Sequence, residues 1–177
     1  MSRIRIIALD LDGTLFNNDS LISKENLRAI QEATDAGIHV VISTGRPYQG
    51  IPFAQIADSG IQYAITTNGA AVYQLEGKQC LFEDGMTPEL SIPIIKELLN
   101  YDIHMDAFVE GLAYTPKQCV TVAQKIAAPP ALKKYILETR IRVDDLVAFI
   151  QEENRSVQKM TLNFYPDDAG ILVDRST

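Results

Sequence analysis

Cysteine is scarce in this chain of 177 residues, which holds only Cys80 and Cys119, in unrelated contexts. Their spacing forms neither a metal knuckle nor a redox dithiol, so both read as ordinary small core or near-surface residues. Residues 1–8 form a strand-like run too brief for a secretory leader, and a reducing cytoplasm is the expected location. Long apolar runs are missing as well: none approaches the ~20 residues that cross a bilayer, so no membrane partner is expected. Positive charge is in deficit, with 16 Lys and Arg against 23 Asp and Glu, a formal net charge of -7. Such a balance makes nucleic acid a poor partner. The basic clusters, Arg3/Arg5 and Lys133-Lys134 with Arg140 and Arg142, are small and broken by apolar residues, and they read as solvated faces. Repeats and low-complexity segments are absent.

What is present is a chain that can bury a proper core. Apolar residues make up 46% and charged residues 22%, the balance of a soluble globular protein. The run Ile4, Ile6, Ile7, Ala8, Leu9 predicts a buried strand covered on both faces, stopping at Asp10. Ser23 is placed to cap a helix over 24–35, with Leu27, Ile30 and Ala33 or Thr34 on its inner face and Gly37 at its left-handed stop. A second strand is expected at 38–42. Pro47 then suits the first turn of a helix running to about 57 and closed by Gly60. A third strand covers 63–65.

Strand, helix, strand, helix, strand is the order of a doubly wound parallel sheet. Such sheets bind ligands outside the carboxyl ends of their strands. Beyond residue 70 the pattern changes to hairpins at 71–82 and 103–115 and helices at 87–101, 117–127 and 144–153. Pro93 makes the first of these helices either start at Ser91 or kink. A last strand is expected at 157–165. The second half reads as an α+β module beside an α/β core, with the boundary at 83–86.

The chemistry gathers at the strand ends. Residues two apart in an extended segment point to the same side, so Asp10 and Asp12 converge, and Gly13 lets the chain turn past them. Paired carboxylates attract a hard cation such as Mg²⁺, which in turn holds a phosphate. The metal keeps the first carboxylate ionised and able to attack phosphorus, while the second handles a proton. Thr44 and Gly45, with the helix start expected at Arg46-Pro47, combine a hydroxyl, backbone N–H groups and a helix terminus into an anion site. Asn68, at the third strand end, reads as a substrate-side or structural hydrogen-bonding residue, although Asn-Gly alone is an ordinary turn.

Asp10-Leu11-Asp12-Gly13-Thr14-Leu15 resembles the first motif of the haloacid dehalogenase superfamily. Thr44-Gly45-Arg46-Pro47 and Thr67-Asn68-Gly69-Ala70 are similar to its Cof-type branch, subfamily IIB, which inserts an α/β cap after three core strands. The resemblance implies a partial Rossmann-like core over residues 1–83 and a cap over 84–177. It further implies a Mg²⁺-dependent phosphate-monoester hydrolase acting on small phosphorylated metabolites through an aspartyl-phosphate. Asp10 matches the nucleophile and a metal ligand. Asp12 matches the acid/base, its backbone carbonyl also touching the metal. Thr44 matches the hydroxyl that binds the transferring phosphoryl group, and Arg46 and Asn68 match positions near the cleft mouth.

The family's third-motif Lys and its fourth motif, Gly-Asp-x-x-Asn-Asp, have no match. Lys159 reads as a solvated surface residue, and Asp167-Asp168 as a turn opening a helix. The chain is therefore expected to end within the cap, and a catalytically weak or silent module of the same architecture is the alternative to an active hydrolase. A phosphomutase would share the phospho-Asp10 step. A receiver-type phosphoacceptor domain is disfavoured, since it needs an Asp ending the third strand, where Thr66-Thr67-Asn68 stand.

Overall fold

The computed structural model describes residues 4–120 and 130–164. The chain divides into two compact units, Met1–Asp84 and Gly85–Thr177. In the first, β1 (Ile6–Leu9), β2 (His39–Ser43) and β3 (Tyr63–Thr66) lie parallel. The antiparallel β4 (Ala71–Gln74) and β5 (Gln79–Glu83) extend the same sheet, in the order β1-β2-β3-β4-β5.

Parallel neighbours need a crossover. Between β1 and β2 it is α1 (Lys24–Asp35), capped by Ser23, whose hydroxyl accepts the Asn26 N–H at 3.1 Å. At its other end the Gly37 N–H returns to the Thr34 carbonyl and the Ile38 N–H to that of Ala33. This paired stop requires a left-handed residue, which Gly37 supplies with φ 77°. Ile30 is buried, with Leu27 and Ala33 packed beside it against Leu11, Leu15, Val40, Ile42 and Ala64.

Two expectations for this unit fail. β1 is not covered on both faces: Ile4 and Ile6 are 66% and 62% exposed. It is the outer strand, paired only with β2 among the described residues, so an apolar run alone does not bury it. Nor does one helix follow Pro47. A 3₁₀ turn at Tyr48–Gly50 is separated from the short α2 (Phe53–Ile56) by an extended Ile51, φ -74° and ψ 135°. Pro52 causes the break, because its ring drives the preceding residue out of the helical region.

The second unit has a four-stranded sheet in the order β8-β7-β6-β9. β6 (Ile103–Val109) and β7 (Leu112–Pro116) form a hairpin closed by Glu110 and Gly111, both at positive φ, 51° and 75°. That is the mirror-image turn whose twist matches the strands. α3 (Pro88–Leu98) starts earlier than Ser91 and runs on through Pro93. Of the helix expected over 117–127, a 3₁₀ turn at Lys117–Cys119 is described, and residues 121–129 lie outside the described residues.

Two elements are unanticipated, α4 (Pro130–Thr139) and β8 (Ile141–Val143), which pairs parallel to β7. Pro130 acts here as a helix opener rather than a breaker, since the first helical residue needs no N–H partner. α5 (Leu146–Glu152) is capped by Asp145, whose carboxylate accepts the Val147 and Ala148 N–H groups. β9 (Lys159–Phe164) pairs antiparallel with β6. α3 and α5 cover one sheet face through Ile92, Ile95, Met105, Leu146 and Ile150.

The even positions of β6 carry a buried ionic network. Asp106 is fully buried and accepts the Thr115 hydroxyl and the Arg140 Nε–H, the latter at 2.8 Å. His104 Nε2 lies 3.0 Å from Asp106 Oδ1, though not aligned as a good hydrogen bond. Arg140 is further held by the rings of Tyr135 and Phe108 and donates to Thr139 Oγ1. Burial by itself would raise the Asp106 carboxyl, but His104, the Arg140 charge and the Thr115 hydroxyl outweigh it and hold the group below its ordinary range.

A carboxyl lowered on folding adds stability that is present above its unfolded value, ~3.9, and is lost as pH falls below it toward the folded value. Acid titration of the second unit, followed by amide exchange of β6, is therefore expected to show stability falling below about pH 4. In Asp106→Asn that dependence should flatten.

Lys159 is not the solvated residue expected. It lies half-buried in β9, its Nζ 5.3 Å from the Phe108 ring centroid, and its pKa is lowered first by desolvation and then by the charge of Arg140. Asp167 and Asp168 lie outside the described residues.

Candidate active site

All six residues singled out in the sequence fall at the carboxyl ends of β1, β2 and β3, within the first unit. The β1 end is a wide turn closed by the Leu15 N–H to the Asp10 carbonyl at 3.2 Å and the Phe16 N–H to that of Leu11 at 2.9 Å. Leu11 and Leu15 are buried and pin the turn from below, while Asp10 and Asp12 stay exposed. Gly13 sits at φ 79°, a left-handed step that side chains resist. Thr14 donates from its hydroxyl to Asp10 Oδ2 at 3.1 Å.

Asp12 and Arg46 meet across 34 residues of sequence. Arg46 Nε and Nη2 donate to Asp12 Oδ2 and Oδ1 at 2.8 and 2.7 Å, a two-pronged pair. The guanidinium also lies 4.9 Å from the Phe16 ring centroid, and its Nη1 donates to the Gly50 carbonyl at 3.3 Å. Arg46 thus reaches the β1 turn from the β2 end.

Thr44 is buried, and its hydroxyl accepts the Arg46 N–H at 3.2 Å. The helix terminus expected beside it does not form, because Pro52 confines the following segment to the short 3₁₀ turn. Thr44 and Gly45 therefore bring a hydroxyl and backbone to this edge, without a helix dipole.

The β3 end is laced to the β2 end. Thr44 N–H donates to the Ile65 carbonyl, Thr67 N–H to that of Arg46 and Asn68 N–H to that of Thr44, at 2.9, 2.9 and 3.2 Å. Three successive positive φ angles, 52° at Thr67, 61° at Asn68 and 99° at Gly69, turn these N–H groups back toward β2. Asn68 is exposed, whereas Thr67 is buried with a hydroxyl that has no hydrogen-bond partner among the described residues.

The sequence reading assigned no role to Phe16, Gly50 or Thr67. Only the chain's return through space brings Phe16 and Thr67 to Arg46, whereas Gly50 meets it from four residues along the chain. The network of His104, Asp106, Thr115 and Arg140 was also missed, yet His-x-Asp inside an apolar strand places both side chains on one face.

Among the described residues no three His, Cys, Asp or Glu side chains cluster as a metal cage. What the β1 turn offers is oxygen: the exposed carboxylate of Asp10, whose Oδ2 accepts the Thr14 hydroxyl, and the backbone carbonyl of Asp12. Such donors suit Mg²⁺, which keeps several waters and needs few protein ligands. No helix among the described residues is long and apolar enough to cross a membrane.

A family model described as haloacid dehalogenase-like hydrolase matches residues 7–172. A Streptococcus pyogenes protein that bears a provisional phosphatase name is 30% identical over 95% of this chain and 61% of its own. A 5-amino-6-(5-phospho-D-ribitylamino)uracil phosphatase of Bacillus subtilis is 46% identical over 40% of this chain and 28% of its own. The pyridoxal phosphate phosphatase of Escherichia coli is 34% identical over 62% and 38%. The chain thus spans at most 61% of the length of these relatives. Among solved structures, a subclass IIB sugar phosphatase superposes with a TM-score of 0.66 at 20% identity, over 89% of this chain and 58% of that one. A haloacid dehalogenase-like hydrolase from B. subtilis gives 0.65 at 24%, over 92% and 60%. At those identities the likeness is one of fold.

Proposed function

The chain belongs to the haloacid dehalogenase-like hydrolase family, and from that premise we propose that it hydrolyses phosphate monoesters of small metabolites through a phosphorylated Asp10. The observation that carries this reading is the placement of Asp10 and Asp12 at the carboxyl end of β1, exposed, beside the Thr44 end of the neighbouring parallel strand. Relatives named for a phosphoribityl compound and for pyridoxal phosphate support a small, polar phosphorylated substrate.

An oxygen of Asp10 attacks phosphorus, the ester P–O bond breaks, and the departing oxygen takes a proton from the carboxyl of Asp12. Asp12, now a carboxylate, accepts a proton from water as that water attacks the phosphorylated Asp10. The P–O bond to Asp10 breaks, leaving phosphate and a regenerated Asp10. Thr14 orients Asp10 throughout, and Thr44 and Gly45 face the transferring group. Bound at the Asp10 carboxylate and the Asp12 carbonyl, Mg²⁺ would supply the positive charge that lets a carboxylate approach a phosphate dianion. Residues 1–83 form the catalytic core in this reading, and 84–177 the cap that sets substrate choice.

The test is phosphate release from a panel of sugar, nucleotide and cofactor phosphates, with Asp10→Asn as the control. A chelator is expected to lower the rate by on the order of 10²-fold or more, and added Mg²⁺ to restore it. Turnover that is indifferent to chelation overturns the metal assignment. Asp10→Asn hydrolysing like the wild type overturns the mechanism.

A further inference from the structure

The geometry points to Arg46 as the positioning residue of Asp12, a clamp on the carboxylate that handles the proton rather than a contact to substrate at the cleft mouth. This inference rests on the hydrolase reading above.

The asymmetry of the pair supports it. The Asp12 side chain is 53% exposed, the Arg46 side chain only 14%. The buried partner is the fixed one: its guanidinium faces the Phe16 ring, donates to the Gly50 carbonyl and puts its remaining fork on both Asp12 oxygens. Its backbone is fixed too, the N–H on the Thr44 hydroxyl and the carbonyl under the Thr67 N–H. An exposed aspartate inside a turn, next to Gly13, would otherwise sample several rotamers. Held on two parallel hydrogen bonds, it meets substrate with its plane already set, so the ordering cost is met before the reaction.

The clamp leaves the proton route open. A carboxylate has about four lone-pair sites, and the fork takes one on each oxygen. A remaining site can carry the proton that passes to the departing oxygen as the ester P–O bond breaks, and can take back a proton from the attacking water. Lysine cannot reproduce the arrangement, since its single ammonium offers neither the planar fork nor the stacking on Phe16.

The role predicts a dependence on the leaving group that a substrate contact would not show. p-Nitrophenolate departs without a proton, whereas an alkoxide needs one. Positioned acid–base catalysis contributes ~10²–10⁴-fold. Because hydrolysis of phosphorylated Asp10 is common to every ester, the dependence is read in kcat/KM, which covers steps only up to departure of the leaving group. Arg46→Lys and Arg46→Gln are expected to lower it by about 10²-fold for an alkyl phosphate and by less than about tenfold for p-nitrophenyl phosphate. The pH profile of kcat for the alkyl ester should change shape in the same variants. Methylguanidinium added to Arg46→Ala should recover part of the alkyl rate.

Equal losses of kcat/KM on both esters would overturn the clamp while the hydrolase reading stood. Wild-type chain that releases no phosphate, or Asp10→Asn that releases it normally, would instead overturn the hydrolase reading and this inference with it.

Discussion

Asp10→Asn is expected to lower phosphate-monoester hydrolysis by about 10⁴-fold or more, with the fold intact. Asparagine keeps the volume of aspartate and can still accept the Thr14 hydroxyl through its amide oxygen, so the turn over Leu11 and Leu15 has no reason to move. What it lacks is an anionic oxygen able to form the bond to phosphorus. Because the residue is exposed, the change in stability should stay within about 1 kcal/mol. Phosphate release and thermal melting of the two proteins, measured side by side, separate chemistry from folding. A variant within tenfold of the wild-type rate would sink the nucleophile assignment. A variant that is inactive and also unfolded would contradict the local geometry described for the β1 turn.

The largest effect on stability is expected at Asp106. Alanine there removes the acceptor of the Thr115 hydroxyl and of the Arg140 Nε–H and leaves a guanidinium, 9% exposed, beside Thr139 and two aromatic rings, without its carboxylate. Breaking a buried pair from one side costs ~3–5 kcal/mol, a large fraction of the 5–15 kcal/mol that holds an ordinary domain together. Replacing both charges by apolar groups of similar volume is often neutral, so Asp106→Leu with Arg140→Met should regain much of the loss. Urea unfolding followed by amide exchange in β6 and β9 reports on the second unit itself. Asp106→Ala unfolding within 1 kcal/mol of wild type would mean that the charges are solvated in ways the buried geometry does not show.

Much of the first unit is legible in the order of its residues. Ser23 and Gly37 bracket α1 because capping and left-handed stops depend on single side chains. The three parallel strands end in Asp10, Thr44 and Thr67-Asn68 because buried runs stop where polar loops begin. The errors fall where a local rule met a competing one. Pro47 suits a helix start, but Pro52 five residues later denies it a second turn. Pro130 follows another proline and reads as a breaker, yet it stands as the first residue of α4, where a missing N–H costs no helical hydrogen bond. Ile4 and Ile6 look like core residues because periodicity reports what a strand can bury, not whether anything lies over it. The Asp12–Arg46 and Asp106–Arg140 pairs are illegible for a different reason: each joins residues 34 apart in the sequence.

The loop at Thr67, Asn68 and Gly69 shows how a motif can be held in place by something other than chemistry. With φ at 99°, Gly69 stands where other residues are strained, and Asn68 at 61° where asparagine is among the few that are comfortable. Thr67, β-branched and left-handed, pays ~1–2 kcal/mol for its conformation, and it does so to point an N–H at the carbonyl of Arg46. Chain geometry by itself therefore favours Asn68 and Gly69 at this edge and works against Thr67, which the backbone bond to Arg46 holds in place.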